Sequence, residues 1–390
     1  MLKTARSFYI VCLRYAPGNW QHMRSFAFCL REHGFRVHMA LSGRFKWMNR
    51  EFKDVSYPTG FALRLTNLLD ILAFLLWGWA RFAYGLCRWK PGGLLLVMWH
   101  PLNFVVAGLS RILCRDLCII AWLHEPYKSP SEKRIYRLKS LAIYAVEFCQ
   151  ALSLPFVDVV IVHSPKAAKA FRLRYLRFRG EIKVIPLQFR EIPCAEQKRL
   201  YISFLGNATR AKGIDKFFEV VQHSFRLGRK TMFQLVTSSD VGKHLKSLAP
   251  EVRDLLRVVT GSQISDEQLR EAAGSSVAVL ALYRDTMQSG VIPVALMSGT
   301  PVIATEIEGL RQFLVPEQTA FFVPKEPTAE QVLEAIDRVE AGFGPMSIAC
   351  RRSYLDLFDD RNWSSAYAWI LTDTSKPVVN DNEVKAVSHL

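Results

Sequence analysis

Short apolar runs alternate with longer amphipathic stretches along most of this chain, the pattern of a β–α–β polypeptide. Residues 7–14 read as a first strand, closed by Tyr15-Ala16-Pro17-Gly18-Asn19. Trp20 to Glu32 reads as a helix stopped by Gly34, and Phe35 to Ala40 as a second strand. Further strands are predicted at 93–99, 117–123, 157–162 and 182–185, separated by helices over Leu102–Leu113, Glu132–Leu152 and Pro165–Leu173. The pattern restarts at Tyr201, with strands near 201–205, 232–236, 256–259, 277–282, 301–304 and 320–323. Strands separated by helices call for parallel sheets covered on both sides. The expected fold is therefore α/β, two doubly wound Rossmann-like domains facing a cleft. The predicted domains are 1–190 and 198–358, joined through a polar, proline-containing linker from Pro186 to Arg199, with a flexible tail over 375–390.

One segment breaks the pattern. Phe61 to Trp89 is helical in period but apolar nearly all round, with Asn67, Asp70, Arg81 and Arg88 on one narrow stripe. Its uninterrupted apolar run, Ile71 to Ala80, falls far short of the roughly 20 residues that span a bilayer. Two readings follow: a buried core helix, or a helix lying in a membrane interface with Trp77, Trp79 and Trp89 near headgroup level.

Composition narrows the class. A chain of 390 residues, 50% hydrophobic and 22% charged, is globular and suits two domains. The formal net charge of +16 is unevenly spread, because residues 1–190 carry 29 Lys and Arg against 10 Asp and Glu. A basic first half implies an anionic partner. With no zinc-finger or RNP-type spacing, nucleic acid is disfavoured, and an anionic membrane surface is expected instead. The eight cysteines lack metal-ligand spacing and read as small hydrophobes in a reducing compartment. The apolar run Phe8 to Leu13 is too short for a secretory signal, so a cytoplasmic location with peripheral membrane association is expected.

The chemistry is concentrated in the second half. Phe204-Leu205-Gly206-Asn207-Ala208-Thr209-Arg210-Ala211-Lys212-Gly213 reads as a strand, a polar loop with two cations, and a helix opening at Lys212-Gly213. Gln288-Ser289-Gly290-Val291 follows a strand, and a helix starts near Gly290. A helix N-terminus presents free N–H groups and the positive end of its dipole, which suits an anion. Two such ends, with Arg210 and Lys212 beside one of them, point to a diphosphate. At strand ends of the first half stand His100 and His124, where open α/β sheets place their ligands. His163-Ser164 reads as a helix cap before Pro165. Asp356 to Asp360 reads as helical surface charge.

Over residues 200–370 the chain resembles the retaining glycosyltransferases of the large family 4, which have the two-domain GT-B fold. Gly206-x5-Lys212-Gly213 is similar to that family's G-R-x4-K-G segment. Ser289-Gly290-Val291 and Ala295 through Ala304, with Gly299-Thr300-Pro301-Val302-Ile303, resemble its acceptor-facing loop, helix and following strand. Asn362-Trp363-Ser364 and Tyr367 resemble its last helix, so the resemblance implies that residues 359–374 return to the first domain. It also implies Lys212 as the phosphate-binding lysine. The family's partner arginine falls on Asn207, and Arg210 is the replacement this chain offers. Of the two histidines, the resemblance favours His124 as the catalytic residue near the donor sugar, with Glu125 beside it. Gly206, Asn207, Ser289, Gly290, Val291, Gln288 and Gly18 complete the implied donor site. The family's paired glutamates fall on Thr286 and Val294, which can hold neither sugar nor ribose; Asp285 and Gln288 are the alternatives for the sugar. The type resembled is that of exopolysaccharide and lipopolysaccharide enzymes.

The implied function is hexosyl transfer from a nucleotide sugar, as substrate, to a lipid-linked or polysaccharide acceptor, with retention and without a metal or other cofactor. Two rivals stay open: an epimerase of the same fold acting on nucleotide sugars, and a non-catalytic relative serving as a binding or scaffold protein. A dehydrogenase is disfavoured, since no G-x-G-x-x-G follows the first strand.

Overall fold

The computed structural model of the chain describes residues 6–15, 19–46, 49, 51–59, 72, 74–98, 100–124, 126, 137–286, 289–361, 367 and 369–370. It divides into two compact units, Met1–Pro186 with Trp363–Leu390, and Leu187–Asn362. The segment expected as a linker packs onto the second unit, where Leu187, Phe189 and Ile192 are buried in its core. Phe189 also bridges Asp359 and receives the Tyr354 hydroxyl on its carbonyl at 2.8 Å.

In the first unit β1 (Ser7–Cys12), β2 (Arg36–Ser42), β3 (Val55–Thr59), β4 (Gly93–Val97), β5 (Cys118–Leu123), β6 (Val159–Val162) and β7 (Glu181–Val184) form one sheet. The order is β3-β2-β1-β4-β5-β6-β7, parallel throughout. The helices are α1 (Trp20–Glu32), α2 (Trp79–Trp89), α3 (Asn103–Leu113), α4 (Arg137–Ser153) and α5 (Pro165–Arg174). Strand β3 goes beyond the sequence expectation. It contains Pro58 and a polar Ser56, and it survives because it is an edge strand, where proline's missing N–H costs little.

Alternate residues of β1 serve the two faces. Phe8 packs on Phe26 of α1, and Tyr9 on Phe82 of α2, at ring-centroid distances of 5.6 and 5.4 Å. Of the apolar segment, Phe61–Ile71 lies outside the described residues. The described part is a π-helical turn, Phe74–Gly78, continued by α2. Trp89 is half-buried, its indole stacked on the buried His38 ring at 3.8 Å.

The second unit repeats the plan. Its strands are β8 (Tyr201–Leu205), β9 (Met232–Thr237), β10 (Leu256–Thr260), β11 (Ser276–Ala281), β12 (Val302–Thr305) and β13 (Ala320–Val323). They run parallel in the order β10-β9-β8-β11-β12-β13. The main helices are α6 (Ile214–Arg226), α7 (Asp266–Gly274), α8 (Val291–Met297), α9 (Glu308–Arg311), α10 (Ala329–Ala341) and α11 (Phe343–Leu357). Capping boxes open α7 at Ser265 and Gln268, and α10 at Thr328 and Gln331. Asp359, expected at the surface, is buried and held by the Arg361 guanidinium at 2.7 Å. Of the cysteines Cys12, Cys29 and Cys350 are buried, whereas Cys87 is exposed. No helix among the described residues is long and apolar enough to cross a membrane.

Tyr367 and Ile370 are buried in the core of the first unit, with the Tyr367 ring 4.7 Å from that of Phe26. The Tyr367 hydroxyl is buried there without a hydrogen-bond partner among the described residues. Two substitutions therefore part company in urea unfolding. Tyr367→Ala should cost about 3–5 kcal/mol, the usual loss for a buried aromatic. Tyr367→Phe should cost nothing and gain up to about 1 kcal/mol, because it removes a desolvated hydroxyl.

Candidate functional site

Each sheet reverses its winding once, between β1 and β4 and between β8 and β11. Ligands of open α/β sheets sit outside the carboxyl ends of strands at such points. In the second unit that position belongs to the loop after β8 and the loop after β11, the two segments singled out in the sequence.

The first loop leaves β8 through Gly206 at φ +90°. It is anchored by Ala208, whose N–H lies 3.2 Å from Thr237 Oγ1 and 3.0 Å from Ser239 Oγ. Arg210–Lys212 forms a single 3₁₀ turn, and Gly213, at φ +77°, is the cap of α6. The helix thus opens one residue later than expected. A Cβ at Gly213 would meet the Leu282 carbonyl oxygen closer than 3.0 Å, and the left-handed φ would strain any other residue as well. Glycine is the residue that lets the two loops touch here. A Cβ at Gly206 would likewise lie 3.2 Å from the Val291 side chain.

Polar groups tie the loops together. The Arg284 N–H donates to the Ala211 carbonyl at 2.9 Å, and its guanidinium grips Asp215 at 2.9 and 2.8 Å. The same guanidinium reaches the Arg210 carbonyl and, at 3.1 Å, Glu326. Burial pushes the Asp215 carboxyl up, but Arg284 and the N–H groups of Asp215 and Lys216 outweigh it and hold the group low. Arg284 is a residue the sequence reading missed. No local pattern marks it, since its partner Asp215 is 69 residues away and only the fold joins them.

Lys212 lies over the Tyr283 ring with Nζ 5.2 Å from the centroid. The buried Tyr283 hydroxyl meets Ser289 Oγ at 3.0 Å, and Ser289 Oγ accepts from the Val291 N–H at 3.3 Å. A cation, an aromatic ring, a hydroxyl and a helix amide therefore form one connected series. The Val291 N–H, expected to be available to a phosphate, is occupied by this hydroxyl. Arg210 is largely exposed and 3.7 Å from Asp215. Asn207 and Gly290 are also exposed. Gln288 and Gly18 lie outside the described residues, as do Glu125 and Asn362-Trp363-Ser364. Thr286 packs its carbonyl against Gly309, and Val294 is buried in the core, so neither replaces a carboxylate.

In the first unit three histidines gather at the ends of β5 and β6 and on α1. The His124 ring lies 5.5 Å from His22 and 4.7 Å from His163. Burial, followed by its two histidine neighbours, drives the His124 pKa well below the ordinary value. His163 is pushed down to about 3, mainly by burial, while its Nδ1–H donates to the Ile185 carbonyl at 2.7 Å. Ser164 caps α5, as expected, by accepting from Ala167. His100 is engaged within its own loop. Its Nδ1 accepts from the Leu102 N–H at 3.2 Å, and burial next to Arg14 lowers its pKa to about 4. It is therefore neutral, with its proton on Nε2. Among the described residues no group of three or more His, Cys, Asp or Glu is placed to hold a metal ion.

The neutral His163 makes folding depend on pH. Its folded pKa of about 3 lies below the ordinary 6.5. Below pH 6.5 the unfolded chain binds a proton that the folded chain refuses, so this contribution is complete above 6.5 and lost as pH falls toward 3. His163→Asn, which keeps a donor for Ile185, should flatten the fall in unfolding free energy by roughly 1.4 kcal/mol per pH unit across that window. Urea titrations at stepped pH read this slope, and an unchanged slope would refute the assignment.

Residues 199–341 match the sequence model of the family described as Glycosyl transferases group 1. No functionally curated protein matches the chain in sequence. Solved structures share the fold across nearly the whole length. Sucrose-phosphate synthase of Thermosynechococcus elongatus is 17% identical over 94% of this chain and 98% of its own, with TM-score 0.68. The pneumococcal O-GlcNAc transferase GtfA, solved with UDP and GlcNAc, is 9% identical over 95% and 99%, with TM-score 0.68. The Anabaena protein HepE, solved with UDP-glucose, is 13% identical over 94% and 99%, with TM-score 0.66. The chain thus has the two-domain GT-B fold, and its second unit carries the region similar to group 1 glycosyltransferases.

Proposed function

We propose that the protein is a retaining glycosyltransferase of family 4 type that uses a nucleoside diphosphate sugar. The observation that carries this reading is the series Lys212–Tyr283–Ser289–Val291, which joins the two loops at the β8/β11 switch point. Those loops fall inside the region matched by the group 1 family. The UDP complexes of GtfA and HepE, proteins of the same fold, support a nucleotide-sugar donor.

In this reading Lys212 and Arg210 stabilise the negative charge that grows on the departing diphosphate. Gly206, Asn207, Ser289, Gly290, Gln288 and Gly18 complete the donor site, with Val291 acting through its hold on the Ser289 hydroxyl, and His124 is the catalytic residue of the first unit. The bond from the anomeric carbon to the diphosphate breaks as the acceptor hydroxyl bonds on the same face. The departing diphosphate takes the hydroxyl proton, so no metal or other cofactor is needed. The acceptor is a lipid-linked or growing glycan chain. A hexose is the sugar type that the family resemblance implies.

A second reading has its own support. Val294 is buried and Thr286 is packed against Gly309, where the family's glutamates would stand. That favours a relative that binds nucleotides without turning them over.

One experiment separates these. In a thermal-shift panel of UDP, GDP, ADP and dTDP, one base should stabilise the wild type by about 2.7 kcal/mol at 100 times its dissociation constant. Lys212→Ala should lose that shift, and EDTA should leave it intact. With the matching nucleotide sugar, the enzyme should release free nucleoside diphosphate. Binding without release, with glycan and lipid-linked acceptors both supplied, would favour the non-catalytic reading; no shift with any base would overturn the donor site.

A further inference from the structure

Helices α2, α3 and α4 lie side by side on the Tyr9 face of the first sheet. Their inner sides supply ordinary core, with Phe82, Leu86, Val106 and Ala107 fully buried. Their outer sides are apolar too. In the π-helical turn leading into α2, Trp77 is 74% exposed and Leu76 66%; Tyr84 on α2 is 64% exposed, Ile112 on α3 75% and Phe148 on α4 64%. Single exposed apolar residues need no explanation, but a group spread over three adjacent helices does.

Basic residues are set among these apolar ones. Trp77, Arg81, Tyr84 and Arg88 are all exposed and follow one another at spacings of four, three and four, along one stripe of the helix. Lys90, just after α2, and Arg115, just after α3, are also exposed. Two nearby acids are paired within the unit, Asp158 with Arg111 at 2.7 Å and Glu147 with Arg174 at 3.4 Å, and the exposed Asp116 stands beside Arg115 at the margin of the face. The surface is thus aromatic and cationic together.

We propose that this outer face of α2, α3 and α4 docks onto an anionic lipid bilayer. Tryptophan and tyrosine prefer the headgroup level, leucine and isoleucine reach the acyl boundary, and arginine pairs with lipid phosphate. A second copy of the chain fits poorly, since two such faces would bring like charges together. No helix among the described residues is a candidate to span the bilayer, so the contact is one of lying on the surface. The inference does not rest on the glycosyltransferase reading, although such docking would bring a lipid-linked acceptor within reach.

The test is co-sedimentation of the full chain with vesicles of phosphatidylcholine, alone or mixed with phosphatidylglycerol. The chain should sediment with the mixed vesicles, more weakly as salt rises, and leave the neutral ones. Leu76→Glu with Trp77→Glu should reduce binding at least about tenfold. Arg81→Glu or Arg88→Glu should each reduce it about fivefold at low salt. Unfolding midpoints of the variants, matched to wild type, establish that the fold is intact. Equal binding to neutral vesicles, no binding, or variants that bind like wild type would overturn the proposal. So would a wild-type dimer in velocity sedimentation that becomes a monomer in the Leu76→Glu, Trp77→Glu variant, which would make the face a self-association surface.

Discussion

No side chain fits between Gly213 and the Leu282 carbonyl, and the rest of the candidate site follows from that contact. It brings the start of α6 against the end of β11. Arg284 can then reach across to Asp215, and Lys212 can settle over Tyr283. A methyl group there would force the loops apart and leave Asp215 facing Arg284 at a poorer distance. Sterics set the spacing, and charge and hydrogen bonding hold it. Lys212 is consequently held over a packed ring, while Arg210 projects largely exposed from the same turn.

The same logic appears differently in the first unit. His22, His124 and His163 are buried among rings, and burial keeps His124 and His163 neutral. A neutral imidazole can donate and accept, whereas a buried imidazolium could only donate. The second unit offers fixed positive charge, while these histidines offer polarity without charge. The loops of the second unit stand at its switch point, whereas the buried histidines follow β5 and β6, to one side of the reversal between β1 and β4.

The fold was legible because burial writes itself into these strands. Leu94 to Val97, Val159 to Val162 and Val302 to Ala304 are apolar on both faces, as strands covered by helices on both sides must be. The edge strand Val55–Thr59 was not legible: it is half polar, carries a proline and is fixed by its neighbour β2, not by its own composition. Within the site, the glycines and Lys212 could be read because turn geometry and anion binding restrict residue choice locally. Arg284 could not, because its partner Asp215 is distant in sequence and only the fold joins them. Nor could the hydroxyl of Ser289 be seen to occupy the Val291 amide, or Asp359 to be buried. The hydrophobic pattern of Phe61 to Trp89 suggested either core or interface; in the described part the same helix has one buried side and one exposed apolar side.

The central claim, that a nucleoside diphosphate seats on the two loops of the second unit, is most directly tested by hydrogen exchange read by mass spectrometry. The nucleotide giving the largest thermal shift would be added to the full chain. Peptides covering 206–213 and 289–291 should slow their exchange, while α10 and α11 of the same unit stay unchanged. Saturating nucleotide that slows exchange elsewhere and leaves both loops untouched would contradict the account.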